Sequence, residues 1–290
     1  MFNGTGVAIV TPFKNGEVDI DALRKLIDFH LENHTQALIV LGTTGEASTQ
    51  SIEERKLVIK TAVANAKGKI PIIIGTGSNN TATAVKYTEQ AEELGADGIL
   101  LTTPYYNKCT QKGLIAHLTT VANATTLPVI LYNVPSRTGV NIPAEVVAKM
   151  AELDNVVGMK EASGDMGQIL DIKRLTPPGF KIYSGNDDQV IPIYACGGHG
   201  VISVAGNIMP RVMQSICAAF MEGKVEEAIS LQLKYKKCID LLFSEVNPIP
   251  VKAALNEMGY IEDELRLPLT SMEAVNREKL VEEMKKLQII

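Results

Sequence analysis

The 290-residue chain has no tryptophan, only four cysteines and four histidines, and 5% aromatic residues. Each scarcity excludes something. Cys109, Cys196, Cys217 and Cys238 are scattered, with no Cys-x-x-Cys pair and no histidine at ligand spacing. That argues against a disulfide framework or a zinc site and leaves reduced, cytoplasmic thiols as the expectation. No apolar run reaches the ~18 residues that a transmembrane helix needs. The amino terminus, Met1-Phe2-Asn3-Gly4-Thr5-Gly6, lacks the basic region and apolar core of a secretory signal. Basic charge is also lacking: the net charge is −5, which speaks against a nucleic-acid partner. No low-complexity linker and no repeat in residue identity is found, and no cofactor fingerprint. The first strand-to-helix turn, Thr11-Pro12-Phe13-Lys14, has no dinucleotide-binding glycines, and Gly75-Thr76-Gly77-Ser78 is half of such a motif.

What is present is a regular alternation. Short apolar segments at Gly6 to Val10, Ala37 to Leu41, Ile70 to Ile74, Gly98 to Leu101, Pro128 to Tyr132, Val156 to Met159, Lys181 to Tyr183 and Gly200 to Val204 read as strands. Helical segments separate them. Asp19 precedes the apolar series Ala22, Leu23, Leu26 and Ile27, and Ser51 with Glu54 forms a capping-box pattern. Asn79 and Thr81 open a helix that Gly95 stops, and Pro143 fits a helical first turn. Eight strictly alternating βα units predict a parallel sheet closed as a (β/α)₈ barrel, in preference to a doubly wound sheet. The barrel is expected over residues 1–224. Residues 225–290, with helices near Val225 to Phe243, Pro250 to Met258 and Ser271 to Leu287, form a helical extension packed on it.

In such a barrel the carboxyl ends of all strands face one mouth. They bring Gly42-Thr43-Thr44-Gly45-Glu46, Thr103-Pro104-Tyr105-Tyr106-Asn107, Tyr132-Asn133-Val134-Pro135-Ser136-Arg137-Thr138-Gly139, Lys160, Ser184-Gly185-Asn186-Asp187-Asp188 and Ala205-Gly206-Asn207 together. Taken singly, each has a bland reading. A strand-terminal lysine is more often a solvated charge than a nucleophile, Tyr132 a core residue, Arg137 a surface charge and His199 a loop residue. Together they point to one chemistry. A lysine amine is nucleophilic only when neutral, about one part in 10³ at pH 7 for an unperturbed group, and apolar surroundings raise that fraction. Such an amine forms a Schiff base with a carbonyl, Tyr132 and a threonine hydroxyl can shuttle protons, and Thr44 with neighbouring N–H groups can hold a carboxylate. A 2-oxo acid such as pyruvate fits. Asp187 and Asp188 disfavour a phosphorylated substrate.

The Gly42-Thr43-Thr44-Gly45-Glu46, Tyr132-to-Gly139 and Gly158-Met159-Lys160-Glu161 runs resemble the signatures of the dihydrodipicolinate synthase family, and the resemblance extends through Asn247-Pro248-Ile249-Pro250-Val251-Lys252. It implies condensation of pyruvate with L-aspartate-4-semialdehyde on the way to diaminopimelate and lysine, without cofactor or metal. It implies Lys160 as Schiff-base former, a relay of Tyr132, Thr43 and Tyr106, Thr44 on the pyruvate carboxylate and Arg137 on the semialdehyde carboxylate. It implies that main-chain atoms of Gly185 and Ile202 complete the pocket. It further implies a homo-oligomer, a dimer or dimer of dimers, in which Tyr106 crosses the tight interface. Cys109 stands where members often carry proline. Thr83, Ile52 and Arg55 occupy positions that carry acidic or histidine residues in strongly lysine-inhibited members, so weak lysine sensitivity is expected. Sugar-acid aldolases share the Thr-Thr-Gly-Glu and lysine motifs, and Arg137 is the feature that argues against that alternative. Intact Lys160 and Tyr132 argue against a non-catalytic sensor or scaffold.

Overall fold

Parallel strands whose both faces are apolar need cover on each side, and a closed barrel ringed by helices supplies it. The computed structural model describes all 290 residues. Its barrel strands are β1 (Gly4–Ala8), β4 (Ala37–Val40), β5 (Ile72–Gly75), β6 (Gly98–Thr102), β7 (Val129–Asn133), β8 (Val156–Glu161), β9 (Lys181–Ser184) and β10 (Gly200–Ser203). They are all parallel and close in the order β1-β10-β9-β8-β7-β6-β5-β4. A two-strand hairpin, β2 (Phe13–Lys14) and β3 (Glu17–Val18), follows the first barrel strand. All eight expected strands are in the barrel, with shifted ends. The third begins at Ile72 because Pro71, having no N–H, cannot donate to the ladder.

Local signals set the helix starts. Asp19 accepts from the Ala22 N–H to cap α1 (Ile20–Glu32), and Ser51 with Glu54 forms the capping box of α2 (Ile52–Ala66). The cap of α3 (Thr81–Glu93) is Asn80, not Asn79 or Thr81, because the Asn80 side chain is the one that reaches the Thr83 N–H. Pro143 is the residue before α6 (Ala144–Met150) and not inside its first turn. The last three helices are α10 (Val225–Leu241), α11 (Ile249–Glu257) and α12 (Ala274–Lys286). No helix is long and apolar enough to cross a membrane.

Two apolar layers result from strand alternation. The outer layer joins 61 buried residues between strands and helices, and an inner one of 11 fills the barrel. Phe2 plugs the amino end, stacked on Tyr183 at 4.5 Å between centroids, and the Tyr183 hydroxyl donates to the Phe2 carbonyl. A side chain at Gly6 would collide with that plug.

One irregularity decides the site. Between Val129 and Ile130 of β7 the pairing jumps from Val156 to Gly158 of β8, leaving Val157 as an extra residue. Val156 and Met159 both pack in the outer layer although three residues apart. A bulge inverts the facing of everything after it. Lys160 therefore points inward, beside Tyr132, its register partner.

Candidate active site

Lys160 is buried, and its Nζ lies 4.4 Å from the Tyr132 ring centroid. Both face a cavity of about 130 Å³ at the carboxyl end of the barrel, lined also by Thr43, Thr44, Arg137, Gly185 and Asn247. Gly185 is there for space: a Cβ would sit 2.6 Å from the Ala162 Cβ and 3.1 Å from the Lys160 Cε.

The strand ends carrying Tyr132 and Lys160 are locked from outside. Asn133 and Glu161, the next residues on β7 and β8, are fully buried and face each other. The Asn133 amide donates to both Glu161 carboxylate oxygens at 3.1 and 3.0 Å. Glu161 also accepts from the Ser163 N–H and the Gln168 amide, while Asn133 Oδ1 accepts from the Ile142 N–H. Fully satisfied buried networks of this kind hold adjacent backbone in one place.

The turn after β4 is held as firmly. Leu41 and Glu46, both non-glycine, have left-handed φ of 58° and 51° and flank Gly42 to Gly45. Such residues persist only where surroundings over-determine them. Here the Gly45 carbonyl accepts from Thr11 Oγ1 and Gln50 Nε2 at 2.8 and 2.7 Å. The Glu46 carboxylate pairs with Lys252 Nζ at 2.7 Å, both side chains being buried. Lys252 also donates to the Thr11 carbonyl and lies over the Phe13 ring, and burial pushes its ammonium pKa down. The Thr43 and Thr44 N–H groups join no backbone hydrogen bond. Unpaired backbone N–H groups beside hydroxyls are the kind of donors from which anion-binding nests are built.

Of the expected residues, Lys160, Tyr132, Thr43, Thr44, Arg137 and Gly185 share the cavity. Arg137 stands exposed at the rim on the one-turn helix α5 (Pro135–Thr138). Ile202 is fully buried in the inner layer, and its side chain does not line the cavity. Tyr106 is 89% exposed, outside the cavity, with a left-handed φ of 72°. His199 is a loop residue before β10, accepting from the Ile182 N–H, and burial lowers its pKa to about 4.

One expectation needs correction. Asp187 does not stand open at the mouth. It is buried, accepts from Ser203 Oγ and the Val204 and Ala205 N–H groups, and so ties the loop after β9 to that after β10. Burial raises its pKa despite those donors. Arg55, at one of the positions tied to lysine sensitivity, is buried, donating to the Gly75 carbonyl and stacked 4.0 Å over the Tyr87 ring.

Sequence reasoning missed Asn247, Phe243 and the Glu46–Lys252 pair. The signal for Lys252 was a lone charge within the apolar Ile249-to-Leu255 run, which demands a buried partner. Nothing local marks Asn247 or Phe243, which reach the cavity from the carboxyl-terminal extension.

The dihydrodipicolinate synthetase family pattern matches residues 1–287. The 4-hydroxy-tetrahydrodipicolinate synthase of Alkaliphilus oremlandii (strain OhILAs) is 71% identical over 290 residues, covering 100% of both chains. That of Clostridium novyi (strain NT) is 50% identical over 280 residues, covering 97% of this chain and 95% of its own. The dihydrodipicolinate synthase structure from Aquifex aeolicus superposes with a TM-score of 0.98 at 46% identity, covering 99% of each chain. The Thermotoga maritima structure gives the same score and identity over 100% of each. A buried lysine facing a cavity at the barrel mouth, and full-length similarity to these proteins, lead to one conclusion: the chain belongs to the dihydrodipicolinate synthetase family.

Proposed function

We propose that this chain is a lyase of the Schiff-base type that condenses pyruvate with L-aspartate-4-semialdehyde to 4-hydroxy-tetrahydrodipicolinate, for diaminopimelate and lysine biosynthesis. The observation that carries it is the inward-facing Lys160 amine beside Tyr132 and the Thr43–Thr44 nest, with Arg137 at the rim.

Lys160 Nζ adds to C2 of pyruvate, and the carbinolamine loses water to give an iminium. Removal of a methyl proton yields the enamine. Its CH₂ carbon attacks the semialdehyde's aldehyde carbon, whose oxygen takes up a proton as the new hydroxyl. The amine of that substrate then displaces Lys160 from C2, closing the ring. One water leaves overall and the lysine is regenerated. Tyr132 and Thr43 move the protons, Thr44 and its nest hold the pyruvate carboxylate, and Arg137 receives the semialdehyde carboxylate. Backbone atoms of Gly185 and Ile202 border the reacting carbon.

Tyr106 belongs to a partner's relay in a homo-oligomer, a dimer or dimer of dimers. Its left-handed backbone, which aims an almost fully exposed aromatic ring away from its own cavity, supports that role. Residues 225–290 are a dependent extension of the 1–224 barrel, since Phe243 and Asn247 line the barrel's own cavity.

Incubation with pyruvate and borohydride should add one reduced pyruvyl group per chain, located by peptide mass at Lys160, and Lys160→Ala should abolish it. A label on another lysine, or productive turnover with sugar aldehydes in place of aspartate semialdehyde, would overturn the assignment.

A further inference from the structure

Thr44 can serve a carboxylate only if its hydroxyl proton points at the ligand. A hydroxyl both donates and accepts, so something must choose. The Asn247 Nδ2 group donates to Thr44 Oγ1 at 2.9 Å, with both side chains buried. With an N–H already aimed at its lone pair, Thr44 has its own proton left to give. Asn247 also lines the cavity, and its Oδ1 has no protein partner.

The segment that carries Asn247 is fastened to the same turn. Five residues on, Lys252 of α11 is buried against Glu46 Oε1 at 2.7 Å, two residues beyond Thr44. Arg266, further along, donates its backbone N–H to Glu46 Oε2 and, through its side chain, to the Thr49 carbonyl. Asn247 and Thr44 are therefore held on opposite sides of one hydrogen bond by a buried ion pair, and cannot drift apart without breaking it.

We propose that Asn247 is a positioning residue for the carboxylate subsite: it fixes the polarity of the Thr44 hydroxyl, so that the turn presents donors alone to the 2-oxo acid. The carboxyl-terminal extension is thereby part of the pyruvate site. This rests on the pyruvate reading above, and borohydride trapping of wild-type protein by pyruvate tests that reading separately.

The test is a double-mutant cycle on the half-saturating pyruvate concentration for trapping, with KM for the semialdehyde measured alongside. Asn247→Ala should raise the pyruvate value about tenfold, the scale of one hydrogen bond, and leave the semialdehyde KM within about twofold, since Arg137 binds that substrate. In a Thr44→Val background, where no hydroxyl remains to orient, Asn247→Ala should add nothing further. Asn247→Asp keeps the shape but can only accept, so it turns the Thr44 proton away and should be at least as weak as Asn247→Ala. An equal added loss in the Thr44→Val background would show that Asn247 acts by itself, and would overturn the proposal. So would an Asn247→Asp chain that binds pyruvate like wild type, or an Asn247→Ala chain with unchanged pyruvate saturation.

Discussion

Gly185→Ala is the sharpest test of how the lysine is placed, because its two consequences fall on different neighbours. The added methyl would lie 2.6 Å from the Ala162 Cβ, 3.1 Å from the Glu161 carbonyl oxygen and 3.1 Å from the Lys160 Cε. Ordinary carbon contacts begin near 3.5 Å, so the Ala162 side must yield by about 1 Å and the lysine stem by a few tenths. Overpacking on this scale costs about 1–3 kcal/mol. In a chain of this size that lowers Tm by about 2–10 °C. The displaced amine matters separately, since a misplacement approaching 1 Å can cost about a hundredfold in rate. We expect kcat to fall about ten- to a hundredfold. The second variant, Ala162→Gly/Gly185→Ala, removes the closest contact and leaves the Lys160 one. It should regain most of the lost Tm, read by thermal unfolding, while borohydride trapping with pyruvate stays slow. Recovery of trapping together with Tm would refute the idea that Gly185 is kept for the lysine. So would a single variant with wild-type kcat.

Arg137→Ala should raise KM for the semialdehyde roughly ten- to a hundredfold, the value of a charge-assisted contact, and change that for pyruvate far less; steady-state kinetics with equal effects on both would make Arg137 structural. Tyr106→Phe should lose activity while staying folded and associated, and mixing with Tyr132→Phe chains should restore some through hybrid assemblies. No rescue after demonstrated subunit exchange would count against a shared site. Burial pushes the His30 imidazole, whose Nε2 has no partner, down to about 3. Its folded pKa is thus below the unfolded one, so its contribution is complete above pH ~6.5 and is lost as pH falls towards 3, by about 1.4 kcal/mol per unit. Urea unfolding at pH 7 and pH 5 should show a shallower pH dependence for His30→Gln, and identical slopes would discard this account.

Alternation of short apolar segments with capped helices was enough to read the barrel, because strand and helix periods are local properties of the chain. Lys160 at a strand end, the Thr43–Thr44 turn and Arg137 could likewise be found in the sequence, since fold rules place strand ends at one mouth. Facing was another matter. Counting two by two from Val156 puts Lys160 on the outer, helix-covered side. Only the bulge at Val157 in the pairing of β8 with β7, followed by a Gly158 whose Cβ would sit 2.6 Å from the Lys181 carbonyl oxygen, turns the amine inward. Asp187 shows the converse. Its charge reads from sequence as part of the mouth, yet three donors from a loop sixteen and more residues away claim it for structure. Asn247 and Lys252 lie more than 200 residues from Thr44 and Glu46, the partners they meet. Composition and period along the chain carry no record of such pairings. They follow from closure of the barrel and the packing of α11 over its mouth, where buried polar groups must find partners wherever the fold has brought them.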